Sequence, residues 1–141
     1  EKNFIKKWVN QPNIEIRICD AYSEVISKSF KIKFDIVIDD GPHNLRSQIK
    51  AIQRYFPKLK SGGTLIIEDL LKGYITCILL FFFTPLNAEI LIYNFRKDRP
   101  GRDNMLYIIK KNNYDKSIIF LRSLSFSKYF IFKLISFTPS L

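Results

Sequence analysis

Two short runs of β-branched and aliphatic residues, Phe34-Asp35-Ile36-Val37-Ile38 and Thr64-Leu65-Ile66-Ile67, constrain this chain more than any other feature. Apolar side chains on both faces of a strand are the signature of burial on both sides of a parallel sheet. Parallel neighbours need a crossover connection, and the intervening segment supplies one. From Asn44 to Leu59 the apolar positions Leu45, Ile49, Ile52, Tyr55, Phe56 and Leu59 keep helical spacing, and Ser61-Gly62-Gly63 predicts the end of that element. The centre of the chain therefore reads as strand, helix, strand, the unit of an α/β fold.

The flanks extend the pattern. Ile14 to Cys19 alternates apolar and charged residues and predicts a strand ending at Asp20, followed by a short helix from Ser23 to Ser29 with Ser23 as its cap. Before it, Phe4, Ile5, Trp8 and Val9 predict an amphipathic helix that Gln11-Pro12-Asn13 stops. After the second central strand come a buried apolar helix around Leu70 to Phe83, a strand from Glu89 to Phe95, a polar loop from Arg96 to Asp103 and a strand from Asn104 to Lys110. The last two strands predict an antiparallel hairpin closing a mostly parallel sheet. Residues 1–112 form one domain on this reading. Residues 113–141, where phenylalanine, isoleucine and serine dominate, form an apolar basic tail expected to be helical, either packed on the core or laid on a membrane surface.

Composition narrows the class. Of 141 residues, 47% are apolar and 26% charged, which excludes intrinsic disorder. Cys19 and Cys77 lie in apolar runs and read as buried small hydrophobes of a reducing, cytoplasmic setting. The uncharged stretch from Gly73 to Asn87 is shorter than the roughly 20 residues needed to cross a bilayer. The chain opens at Glu1 with no secretory leader, so its numbering reads as beginning inside a longer protein. Basic residues number 23 against 13 acidic, a net charge of +10, but they are scattered from Lys2 to Lys133 and argue only weakly for a polyanionic partner.

The acidic residues are more informative. In open α/β sheets, ligands sit beyond the carboxyl ends of the strands. Asp39, Asp40 and His43 follow one central strand, and Glu68 and Asp69 follow the other. If the strands are neighbours, four carboxylates and an imidazole face one small volume. Such a cluster is costly unless a cation or shared protons neutralise it, and an oxygen-rich donor set suits magnesium, calcium or manganese better than zinc. Adjacent Asp39 and Asp40 point to opposite faces of an extended strand, so one of them serves a different ligand. Gly41-Pro42 turns the chain and aims His43, the only histidine, back at the strand end as a candidate general base. Asp20 also follows a predicted strand, with an Asx turn as the equal alternative. Arg96, Arg99 and Arg102 are either a solvated loop or a clamp for an anionic group.

The segments from Phe34 to His43 and from Lys60 to Asp69, with their Asp-Asp-Gly-Pro-His and Ile-Glu-Asp endings, resemble the class I S-adenosylmethionine-dependent methyltransferases. The similarity is to their metal-dependent branch, which includes macrolide-sugar O-methyltransferases and cephalosporin-hydroxylase-like proteins, and it runs from about Asn13 to Lys111. It implies a Rossmann-like methyltransferase fold and the cofactors S-adenosylmethionine and Mg2+. By position it implies Asp40, Glu68 and Asp69 as metal ligands, His43 as the catalytic base, and Asp20, Ala21 and Asp39 along the cofactor. The Gly-rich turn and the ribose-holding acid of such proteins are absent, as is any GxGxG. The chain thus reads as a C-terminal portion lacking the first two strands, which would lie between the Ile14 and Phe34 strands.

The expected function is metal-assisted O-methyl transfer to a hydroxyl of a small molecule or sugar. The alternative is a non-catalytic methyltransferase-like module that binds a partner, a membrane surface or nucleic acid through its basic surface. Nucleic acid has only net charge in its favour, because the aromatic residues sit in apolar runs. Membrane contact through the tail and a homo-oligomer stay open.

Overall fold

The computed structural model describes residues 13–95, 105–112, 121–126 and 129–134, the last two stretches as backbone strands only. Among them, helix α1 (Glu24–Ser29) leads into strand β1 (Phe34–Asp39), helix α2 (Leu45–Tyr55), a 3-10 turn (Phe56–Lys58) and strand β2 (Leu59–Ile67). Helix α3 (Tyr74–Phe81), strands β3 (Ala88–Asn94) and β4 (Met105–Lys111), and strands β5 (Leu121–Phe126) and β6 (Tyr129–Leu134) follow. The strands form one mixed sheet in the order β1-β2-β4-β3-β6-β5.

β1 and β2 are parallel, as the central strand-helix-strand pattern requires. β4 is antiparallel to both β2 and β3 and lies between them, so β1, β2 and β3 run the same way while β4 opposes them. The expected hairpin is therefore present, but the sheet is not mostly parallel: β1·β2 is the one parallel pair among the described residues. The reason is topological. The crossover through α3 returns β3 in the direction of β2 but leaves one strand's width between them, and β4 folds back into that gap.

Local sequence explains each boundary of the central unit. Asn44 caps α2, its side-chain oxygen accepting from the Ser47 backbone N–H at 3.0 Å. Pro57 lacks the amide that would continue the helix, so α2 gives way to the 3-10 turn. β2 starts earlier than the predicted Thr64 because Leu59 already pairs with Phe34. The register then jumps so that Ile36 faces Thr64, leaving Lys60 to Gly63 as a bulge. At Gly63 a Cβ would stand 3.0 Å from the carbonyl oxygens of Lys60 and Phe34, a crowded approach to backbone that glycine avoids. The predicted helix stop at Ser61-Gly62-Gly63 is this bulge.

The core lies on one sheet face. Leu65 and Ile67 of β2, Ile90 and Ile92 of β3, and Met105, Tyr107 and Ile109 of β4 are buried together with Ile52 of α2 and Cys77 and Leu80 of α3. Alternation along each strand puts these residues on the same side, and full burial of each aliphatic side chain contributes about 1.5–3 kcal/mol. A truncation such as Leu65→Ala would cost about 2–5 kcal/mol there.

Several expectations are corrected at the margins of this core. Among the described residues β1 is one of the two edge strands, and Ile36 and Ile38 are exposed, so it is not buried on both faces. Ile14 to Cys19 forms no strand, and Cys19 is exposed instead of buried. Ser23 occupies the cap position of α1 but makes no side-chain capping bond. α3 is half-buried: Thr76, Cys77 and Leu80 face the core while Ile75, Ile78 and Phe82 face outward. In the tail, residues 121–126 and 129–134 are strands, not helix, because pairing with β3 extends the sheet across β6 and β5. The helix predicted at Phe4 to Val9 and the arginines at 96, 99 and 102 lie outside the described residues.

Candidate functional site

Parallel pairing of β1 and β2 brings their carboxyl ends to one edge of the sheet. Asp39 is in register with Ile67, and the Glu68 backbone N–H donates to the Asp39 carbonyl at 3.0 Å, carrying the pairing one step beyond the strands. Asp40 and Asp69 leave the sheet side by side from this lock.

Gly41 and Pro42 then turn the chain so that the His43 ring returns to the strand ends. Its Nε2 lies 3.1 Å from Asp40 Oδ1 and 3.9 Å from Asp69 Oδ2. His43 is mostly shielded and Asp40 mostly exposed, with Asp69 between them, so the cluster opens to solvent on the Asp40 side. One ligand atom from each of Asp40, His43 and Asp69 lies within 4.8 Å of the others. That spacing and the two carboxylates suit a hard divalent cation, with the imidazole nitrogen as third donor or as a proton acceptor beside it. Glu68, assigned to the same ligand set by sequence, is half-buried at the β2 end and is not one of these three.

The backbone is strained at two of the three residues. His43 has φ 52° and Asp69 has φ 54°, the left-handed region that disfavours side chains, and among the described residues no other non-glycine residue adopts it. Each such residue costs of order 1–3 kcal/mol, and such strain persists where the surrounding structure over-determines it. Here the Asp39–Glu68 lock holds one side, and the Asn44 cap of α2 holds the other.

A second group of predicted site residues gathers beside this cluster. The Tyr22 hydroxyl donates to Asp39 Oδ1, and the Tyr55 hydroxyl donates to the Ala21 carbonyl at 2.6 Å. Asp20 accepts the Tyr22 backbone N–H at 2.9 Å through Oδ1, the Asx turn that was the alternative reading of this residue. The two adjacent aspartates thus have different partners, Asp39 with Tyr22 and Asp40 with His43. Burial raises the Asp39 carboxyl above the usual carboxylate range, against the opposing effect of the Tyr22 hydrogen bond. Burial likewise raises the Tyr22 phenol, with the Asp39 hydrogen bond adding to it.

Sequence reasoning missed Tyr22. The signal was Gly41: a Cβ there would stand 1.7 Å from the Tyr22 hydroxyl, so the glycine after Asp40 is needed for the tyrosine to reach Asp39. It also missed the positive φ at Asp69, for which Ile-Glu-Asp-Leu carries no glycine or proline as a cue.

No family model matches the chain, and no solved structure matches it. Two curated proteins of Streptomyces olivaceus share short stretches with it. One, named 8-demethyl-8-(2-methoxy-alpha-L-rhamnosyl)-tetracenomycin-C 3'-O-methyltransferase, is 49% identical over 41 residues, covering 29% of this chain and 10% of that protein. The other, 8-demethyl-8-alpha-L-rhamnosyl tetracenomycin-C 2'-O-methyltransferase, is 45% identical over 40 residues, covering 28% of this chain and 11% of that protein. The likeness thus spans about a tenth of each relative's length, and both relatives are O-methyltransferases.

Proposed function

We propose that this chain is part of a metal-assisted, S-adenosylmethionine-dependent O-methyltransferase that acts on a hydroxyl group of a small molecule or sugar. The convergence of Asp40, His43 and Asp69 at two parallel strand ends, with strained backbone at two of them, carries this reading. The short likeness to two sugar O-methyltransferases supports it. Asp40 and Asp69 would hold a magnesium ion, with Glu68 beside them as the resemblance assigns. Magnesium bound there supplies Lewis acidity that lowers the pKa of a substrate hydroxyl and fixes its orientation.

The chain's own residues do the rest. His43 is the base that would accept the hydroxyl proton, at a ring nitrogen not donating to Asp40, as the substrate oxygen takes the methyl group that S-adenosylmethionine would supply, its sulfonium leaving as a neutral thioether. The mostly shielded imidazole is held in place by the Gly41-Pro42 turn and by Asp40. Asp20, Ala21 and Asp39 line the cofactor's path on this reading. Tyr22 and Tyr55 keep those residues together through their hydroxyls.

Calorimetry on the full-length gene product tests the reading. S-adenosylmethionine is expected to bind, more tightly with magnesium present, and Asp40→Ala is expected to abolish the magnesium effect. Absence of binding by either ligand overturns the enzymatic reading and leaves the non-catalytic module.

A further inference from the structure

We infer that Tyr22 is a positioning residue of the Asp40–His43–Asp69 cluster: its hydroxyl sits against the turn from β1 to α2 and fixes the path that brings His43 back onto Asp40. The inference rests on reading those three side chains as a metal site, and it adds to them a residue outside the ligand set.

Four residues, Asp40 to His43, join the end of β1 to the cap of α2. Both ends of this turn are fixed, Asp39 by the bond from the Glu68 N–H to its carbonyl and Asn44 by its own side chain on the Ser47 N–H. Tyr22 acts between them. Its hydroxyl donates to Asp39 Oδ1, and it lies so close to Gly41 that a Cβ there would stand 1.7 Å from the oxygen and 2.9 Å from the ring carbon that bears it. Gly41 does not have a positive φ, unlike Gly62 and Gly73, so the backbone conformation does not call for glycine at this position. Space for the Tyr22 hydroxyl does. The Ser47 side chain, in the first turn of α2, acts on the same phenol, so Tyr22 reaches residues both before and after His43.

Strain at His43 makes this support necessary. Its φ of 52° is costly, and strained backbone relaxes unless the structure around it forbids the relaxation. With the Tyr22 hydroxyl removed, Asp39 loses a partner and space opens beside Gly41. The turn is then free to relax, and the imidazole to leave its place 3.1 Å from Asp40. Groups that hold ligands in place without touching the metal typically govern its affinity by about 10–100-fold.

Magnesium calorimetry on the full-length protein tests the inference, with Tyr55→Phe as the control. Tyr55 tethers the same loop, its hydroxyl 2.6 Å from the Ala21 carbonyl, but does so away from the turn. Tyr22→Phe is expected to lower magnesium affinity about tenfold, and to have no effect in an Asp39→Ala background, because the bond it removes is already gone. Tyr55→Phe is expected to leave the affinity unchanged. Without metal, the His43 ring signals in an NMR spectrum, assigned by His43→Gln, are expected to shift in Tyr22→Phe and to stay in place in Tyr55→Phe. Unchanged magnesium affinity in Tyr22→Phe overturns the inference. So do equal losses in the two tyrosine variants, since a loosened loop then accounts for them, and so does an undiminished effect of Tyr22→Phe in the Asp39→Ala background. A wild-type protein that binds no magnesium overturns the metal reading instead, and the histidine signals then decide whether Tyr22 positions the turn.

Discussion

His43 and Asp69 face each other across 3.9 Å, and both hold the left-handed backbone conformation. The surrounding structure holds this geometry: the β1–β2 lock adjoins Asp69 and the turn into α2 adjoins His43. The fold thereby spends stability to converge an imidazole and a carboxylate on one point.

Replacing either residue by glycine separates stability from function. His43→Gly and Asp69→Gly remove strain of order 1–3 kcal/mol each, offset by about 0.5–1 kcal/mol of added backbone entropy in the unfolded chain. Both variants are expected to melt at or above the wild-type temperature while losing magnesium affinity. Thermal melts and magnesium titrations of the same samples check this, and a large drop in melting temperature would show that the side chains themselves stabilise the turn.

The Tyr22–Asp39 bond requires Gly41. Gly41→Ala places a methyl group 1.7 Å from the tyrosine hydroxyl, so either the tyrosine or the turn must move. Overpacking of this kind costs about 1–3 kcal/mol. Tyr22→Ala removes the obstacle, and the double variant is expected to be markedly less unstable than the sum of the singles. Urea denaturation of the four proteins in this cycle measures the coupling, and simple additivity would mean that Gly41 is needed for another reason.

How much of this was legible in the sequence depends on which forces decide each element. The β1-α2-β2 unit was readable because its apolar periodicity acts locally, although Pro57 ends the helix before the predicted Leu59 and the predicted stop at Ser61-Gly62-Gly63 is a bulge within β2. The acidic strand ends were readable because parallel pairing follows from that unit. The fate of Ile14–Cys19 was not, since alternation reports which face a segment would bury and not whether it pairs with a strand. Exposure of Ile36, Ile38 and the outer face of α3 was not readable either, because apolar sequence reports what a face prefers, not what covers it. The Tyr22–Asp39 pair joins residues 17 apart along the chain, and no spacing rule reaches that far.

Gln48 of α2 is almost completely buried, and neither side-chain atom of its amide has a hydrogen-bond partner. Burying an unsatisfied amide costs about 1–3 kcal/mol, and an apolar residue of similar shape does not incur it. Gln48→Met is expected to raise stability by about 1 kcal/mol or more, seen as a higher urea midpoint with an unchanged slope. A loss of stability instead would show that the amide is satisfied in solution, by a buried water or by a ligand of the site.

Tyr107 supplies a test of the core at alkaline pH. Its ring is buried on β4, its hydroxyl lies 3.1 Å from that of Thr84, and burial raises its phenol above the ordinary tyrosine range. The folded state therefore keeps the proton at pH values where the unfolded chain releases it. Stability from this group is complete below the unfolded phenol's pKa of about 10 and falls as pH rises above it, because unfolding then releases a proton. Tyr107→Phe removes that dependence and costs about 1 kcal/mol for the lost hydrogen bond. Urea midpoints at neutral pH and at successive points above pH ~10 are expected to fall less steeply for the variant than for the wild type. Parallel slopes would mean that Tyr22, also raised by burial and by its bond to Asp39, controls the alkaline transition, and Tyr22→Phe would then flatten it.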